Sequence, residues 1–192
     1  MLSPMMQIWR ADSDGSDAKQ LTSDIQDRSP QCSSDGQWVY YIDVAGGNAV
    51  KKISIEGGVA QKAVNLSNVA AFSLSPDGKL VALDYMDSSD QKRRIALALA
   101  QSGQIEHTLV LDPRISSWLR FMPDGKGIAY PIGEAGVDNV WVQPLDGSAG
   151  KQITNWDIGY ITKFSWSPDG KELALLHGVA DSNSLLMHDQ KK

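Results

Sequence analysis

Apolar and polar positions alternate in short runs along most of the chain, and four times the alternation is interrupted by the same kind of turn. The segments PQCSSDGQWVYY (30–41), FSLSPDGKLVAL (72–83), LRFMPDGKGIAY (119–130) and FSWSPDGKELAL (164–175) align on Asp35, Asp77, Asp124 and Asp169. Before the aspartate, one column holds Pro30, Phe72, Leu119 and Phe164, and a second holds Cys32, Leu74, Phe121 and Trp166. Between them lie Gln31, Ser73, Arg120 and Ser165, so the segment has the period of two that predicts a strand. After the turn, Val39, Val81, Ile128 and Leu173 share a column with uncharged neighbours Tyr40, Ala82, Ala129 and Ala174. A second strand without a charged face is expected to be covered on both sides.

The aligned aspartates are 42, 47 and 45 residues apart, and Gly15, Gly57, Gly103 and Gly147 keep step at 42, 46 and 44. A third echo is KQLT (19–22) against KQIT (151–154). A period in the forties is that of a four-stranded propeller blade. Third strands are predicted at 49–55, 93–100 and 138–145, and fourth strands at 59–64, 105–111 and 150–155. No segment has the pattern of a long amphipathic helix. The expected fold is all-β, a β-propeller of four-stranded antiparallel blades. It divides into a partial blade 7–25, blades 26–65, 66–112 and 113–156, and a partial blade 157–192, the last including a third strand in SLLMHD (184–189). About four blades make an incomplete ring, since six or seven blades need about 24 to 28 strands. Uncovered end blades predict self-association, or dependence on a missing N-terminal portion of a longer parent chain.

The turn itself has a structural reason. Pro76, Pro123 and Pro168 set φ at the first central position, the aspartate suits the next, and the glycine accepts the positive φ that closes the hairpin. Ser34 replaces proline in the first copy.

The 192 residues are 42% hydrophobic and 21% charged, ordinary for a folded domain. A net charge of −5 argues against a nucleic-acid partner. Lys92, Arg93 and Arg94 beside Asp90 are expected to form a solvated loop. The longest apolar run, IALALA (95–100), is far too short to insert in a membrane. The opening MLSPMMQIWR has neither the basic start nor the apolar segment of a signal peptide. A single cysteine excludes an internal disulfide, and Cys32, in the column of Leu74, Phe121 and Trp166, is expected to be buried and inert.

The segments FSWSPDGKELAL, FSLSPDGKLVAL, VWVQPLDG, QIWRADSDG, KQLT and KQIT resemble the TolB-type propeller repeat, a WD-like family, over essentially the whole chain. The stretch from VWVQPLDG to SLLMHD is similar to the C-terminal propeller segment of certain bacterial membrane-spanning serine/threonine protein kinases. The resemblance implies a sensor or interaction module that acts on protein partners or ligands outside the cytoplasm, in the periplasm or beyond. Kinase activity does not carry over, because the chain has no Gly-rich loop, HRD or DFG.

Catalytic and metal chemistry finds little support. The prolyl-peptidase families join a similar propeller to a hydrolase domain with G-x-S-x-G, and the propeller part of such a hydrolase is the alternative reading. The nearest string, DGSAG (146–150), has Asp146 in place of the first glycine and sits on a repeat turn. DSDGSD (12–17) lacks the glycine and glutamate of a calcium loop. His107, His177 and His188 lie on separate strands without a second ligand at short spacing. No cofactor and no metal are therefore expected. Trp9 and Trp141 share a third-strand column and are assigned to packing between blades. The links into first strands, 24–28, 113–118 and 155–160, should border the central channel. Arg28, Arg114, Trp118, Trp156 and Tyr160 on these links are the candidate binding residues of a non-catalytic module.

Overall fold

Sixteen strands and no helix make up the described residues, 5–110, 112, 114–115, 118–167 and 169–179 of the computed structural model. β1 (Trp9–Arg10) and β2 (Lys19–Gln20) form a two-stranded ribbon. Three four-stranded antiparallel meanders follow. The first is β3 (Asp27–Cys32), β4 (Trp38–Asp43), β5 (Ala49–Ser54) and β6 (Gln61–Lys62). The second is β7 (Val69–Leu74), β8 (Leu80–Met86), β9 (Arg93–Leu99) and β10 (Ile105–Val110). The third is β11 (Arg120–Phe121), β12 (Gly127–Glu134), β13 (Val137–Pro144) and β14 (Lys151–Gln152). A hairpin of β15 (Tyr160–Trp166) and β16 (Leu173–Gly178) closes the described part. This is the expected architecture, an incomplete β-propeller. SLLMHD, His188, Pro113 and Pro168 lie outside the described residues.

The core is a series of layers, one between each pair of sheets. Tyr40 and Ile42 of β4 pack against Phe72, Val81 and Leu83 of the next sheet, while Val39 and Tyr41 face Ile8 and Leu21. Ala82, Ile95 and Leu97 meet Leu119, Phe121, Ile128 and Tyr130, and Ala129, Val140 and Val142 meet Ile161 and Phe164. β4, β8 and β12 thus bury alternate residues against opposite neighbours, and this is why their central residues carry no charged face. β16 departs from the expectation of cover on both sides: Ala174 and Leu176 are exposed, because no described sheet stands beyond the last hairpin.

The KQLT and KQIT echoes are strand terminators. In both, the third-strand amide is taken by the threonine hydroxyl: Ile8 donates to Thr22 Oγ1 at 3.0 Å and Val140 to Thr154 Oγ1 at 2.8 Å. The glutamine side chain of each motif donates to the same threonine's carbonyl at 2.7 Å. The side chains replace the backbone ladder, so these fourth strands pair over two residues, shorter than the pattern predicts.

Three of the four hairpin turns share one hydrogen-bond set. In the last, Ser167 Oγ donates to Asp169 Oδ1 at 2.6 Å and accepts the Glu172 amide at 3.0 Å, while Asp169 Oδ1 accepts the Lys171 amide at 3.2 Å. The serine hydroxyl, then the amide, hold the Asp35, Asp77 and Asp169 carboxyls below the usual carboxylate range. Gly36, Gly78, Gly125 and Gly170 have φ of 69°, 71°, 70° and 71°. The turns also touch in sequence. Gly78 lies against Ser34, Gly125 against Pro76 and Gly170 against Pro123, each on the proline-position residue of the turn before it.

Three expectations are corrected. Cys32 is exposed, because only β1 and β2, outer strands of a blade, stand against the face it shares with Val39 and Tyr41. Trp9 is 56% exposed because it points away from Ile8 and the first complete blade, to a face of β1 that no described sheet covers, whereas Trp141 packs between blades as expected. Arg93 and Arg94 are not a solvated loop but the start of β9. Arg93 makes a paired contact with buried Asp84 and reaches the Ile115 carbonyl, and Arg94 grips Asp90 at 2.6 Å. The hairpin register brings these arginines beside β8 carboxylates and turn aspartates.

Two outcomes follow. Gly36→Ala and Gly170→Ala share the strain of a left-handed backbone, but only at 170 does the new Cβ fall 2.8 Å from a proline ring, with nothing within 4 Å at 36. In urea denaturation Gly170→Ala should lose about 1–2 kcal/mol more than Gly36→Ala; equal losses would show that the turn tips do not touch. Because Trp9 at one end and Leu176 at the other are 56% and 61% exposed, light scattering during size exclusion should give a mass above that of a monomer at micromolar concentration. A compact monomer that binds no hydrophobic dye would contradict this.

Candidate functional site

The first strand of each sheet lies at its edge, and successive first strands meet at a common hub where β3 contacts β7 and β7 contacts β11. They do not pair as a ladder; side chains from the polar column bridge them instead. Gln31 Nε2 donates to the Phe72 carbonyl at 2.8 Å and Gln31 Oε1 accepts from the Leu74 amide at 3.2 Å. One blade further, buried Ser73 Oγ accepts from the Phe121 amide at 3.2 Å. Between β11 and β15 the bridge comes from another residue, as Trp118 Nε1 donates to the Phe164 carbonyl at 3.1 Å.

Arg120 holds the Gln31 and Ser73 column in the third blade but bridges nothing across the hub. Its Nη1 donates to the adjoining Leu119 carbonyl at 2.9 Å, and its guanidinium lies 4.3 Å from the centre of the Trp118 ring. Burial pushes the Arg120 pKa down from its ordinary value, yet a guanidinium stays charged at neutral pH. Arg120, Trp118, Arg28, Gln31 and Phe72 line a groove of about 250 Å³. Arg28 reaches Asn48 Oδ1 at 3.5 Å. Neither arginine has a carboxylate at ion-pair distance among the described residues. Exposed Lys163 lies 5.7 Å from the centre of the Trp118 ring. In a chain of charge −5, the hub is locally cationic.

No protein-family model and no curated relative matches the sequence. Solved structures do match in shape. TolB from Acinetobacter baumannii superposes with a TM-score of 0.79 at 22% identity, over 94% of this chain and 46% of that one. The fold is that of a TolB-type β-propeller. A putative TolB from Agrobacterium tumefaciens gives 0.74 at 18% identity, over 94% of this chain and 73% of that one. An oligogalacturonate lyase from Vibrio parahaemolyticus gives 0.69 at 16% identity, over 90% and 52%. The chain thus spans under half the length of the Acinetobacter TolB.

Within the propeller, the residues singled out from sequence separate into two groups. Arg28 and Trp118 come together in the hub groove. Arg114 is held away from it by Asp112, at 2.6 Å, and Glu134, at 3.0 Å. Trp156 stacks on His177 with ring centres 4.9 Å apart, and its amide donates to Asn139 Oδ1 at 2.8 Å. Tyr160 packs over Gly178. His177 is a packing residue, its Nε2 2.8 Å from the Ile158 carbonyl, and His107 lies on exposed β10. The DSDGSD carboxylates serve their own turn: Asp14 accepts from the Ser16 amide at 2.9 Å and Asp17 pairs with Arg10 at 2.8 Å. Arg120 was not among the site candidates, although its sequence signal was present. It is the one charged residue in a column otherwise made of Gln31, Ser73 and Ser165.

Gln31 and Ser165 provide a test of the bridging, because the Ser165 hydroxyl reaches only its neighbouring carbonyl, at 3.5 Å. Gln31→Ala should cost about 1–3 kcal/mol by leaving two backbone groups of β7 unpaired. Ser165→Ala should fall within about 0.5 kcal/mol of the parent. Equal effects in chemical denaturation would show that the bridge does not hold the blades.

Proposed function

We propose that this propeller is a non-catalytic interaction module whose hub groove takes an acid-bearing segment of a protein partner. The observation that carries the reading is Arg120, a desolvated guanidinium on Trp118 without a carboxylate partner among the described residues. A buried cation without a counter-charge is costly, and stacking on an aromatic face offsets only part of that cost. A carboxylate entering the groove would supply the missing charge through two parallel hydrogen bonds. Arg28 and Lys163 extend the positive field beyond that point, which favours an acidic approach. A space of about 250 Å³ is smaller than the roughly 300–1,000 Å³ of typical small-ligand pockets and suits one or two side chains of a larger partner. The groove lining has no carboxylate, histidine or thiol among the described residues, which supports binding over acid–base or nucleophilic chemistry.

In this reading the module is part of a larger bacterial protein, TolB-like or a receptor-type serine/threonine kinase, and works outside the cytoplasm. The support is the repeat resemblance, together with a match that covers 46% of the Acinetobacter TolB.

Selection from a displayed peptide library against the purified chain should enrich peptides with aspartate or glutamate at a fixed position. Binding should quench Trp118 fluorescence and weaken with salt. Arg120→Met should reduce affinity at least about tenfold, the loss of one charge-assisted pair, with little change in melting temperature. Enrichment of neutral peptides, or unchanged affinity in Arg120→Met, would overturn the assignment.

A further inference from the structure

A different part of the first complete blade departs from the repeat. In the second blade, Val69 and Tyr85 face each other across β7 and β8 and are buried in the layer between blades. At the same register in the first blade stand Asp27 and Asp43, directly opposite on β3 and β4 and both buried. Like charges at a directly opposed pair are destabilising. Asp24, from the link into β3, brings a third carboxylate, and oxygens of the three lie within 4.8 Å of one another.

Lys51 is the one cation at the cluster among the described residues, 2.6 Å from Asp43 Oδ2 and 3.6 Å from Asp24 Oδ2. One ammonium against three carboxylates leaves two negative charges. Lys51 makes no ion pair with Asp27, which is 2% exposed, and neither Asp27 oxygen has a hydrogen-bond partner of acceptable geometry among the described residues. The Thr22 hydroxyl, which accepts the Ile8 amide at 3.0 Å, lies beside it. The Tyr41 hydroxyl is a second orphan, fully buried and without a partner. On β4 Tyr41 shares a strand face with Asp43, two residues further on. Asp24, half exposed, opens the cluster to solvent.

We infer that Asp24, Asp27 and Asp43 form a binding site for a divalent cation. The donors are all hard oxygens, and the residual charge matches a divalent ion. Irregularly placed carboxylates suit Ca²⁺ better than Mg²⁺, which demands a near-octahedral shell and gives up water reluctantly. Asp27 and Asp43 come from paired strands and are held rigidly, while Asp24 can close over the ion from its link. The ion would tie this link to the base of the first complete blade.

The test is thermal unfolding of the full chain with CaCl₂, MgCl₂ or NaCl at matched ionic strength, with isothermal titration calorimetry on the same protein. Calcium at about ten times its Kd should raise the melting temperature by about 3–6 °C, reversibly with EDTA and with a smaller effect of magnesium. Calorimetry should give one site per chain. Asp27→Asn should remove the shift, while Asp14→Asn in the DSDGSD turn should keep it. If Asp27→Asn does not fold, the exposed Asp24→Asn provides the same test through an at least tenfold weaker Kd. No calcium-specific shift, or a shift that survives both Asp24→Asn and Asp27→Asn, would overturn the site.

Discussion

A propeller blade offers the unpaired edge of its first strand to the hub, and the fold holds only if those backbone groups find partners there. A regular ladder between blades is not formed: each sheet ends at its first strand, and neighbouring first strands touch without pairing. Here the solution is one polar side chain per joint: Gln31 between the first pair of blades, Ser73 between the next, and Trp118 before the last. The apolar layers between sheets bring the blades together without direction, and these hydrogen bonds set how the edges meet.

Once the joint is made by Trp118, the column residue Arg120 is released from it. A position that is structural in two blades becomes a free, partly buried cation in the third. The same logic operates at the start of β3 and the end of β4, where an apolar pair in one blade is a pair of aspartates in another. In both places chemistry has entered a repeat position whose structural duty is discharged elsewhere or left undone. Departures within an otherwise regular column are therefore where binding should be sought in such a protein.

Much of the architecture was legible in the sequence, because it follows from local rules repeated at a fixed spacing. The turn chemistry at Asp77 and Gly78, the alternation through Phe72 and Leu74, and the doubly covered β8 could each be read from one blade and checked in the next. What was not legible depended on neighbours. Cys32 sits in an apolar column yet is exposed, since only the two short strands β1 and β2 stand against its face. Arg93 looked like part of a basic loop, but cross-strand register delivers it to Asp84. Of the candidate binding residues, Arg28 and Trp118 meet in the groove, whereas Arg114 is occupied by Asp112 and Glu134. Arg120 could have been found by asking which polar column breaks its own pattern.

The contact of Gly78, Gly125 and Gly170 with the proline position of the preceding turn makes the blade a cassette. Each of these joints sets a ledge on one turn against a recess on the next. A duplicated blade inserted in frame would meet both neighbours through joints that already exist, with no new surface to be invented. The arc can thus lengthen or shorten by whole units during evolution, and a designer could extend it by copying 66–112 rather than composing a new interface. At Gly170 a Cβ would fall 2.8 Å from Pro123, so that joint also acts as a gauge. A copy that drifts from Gly there would fit its neighbour less well.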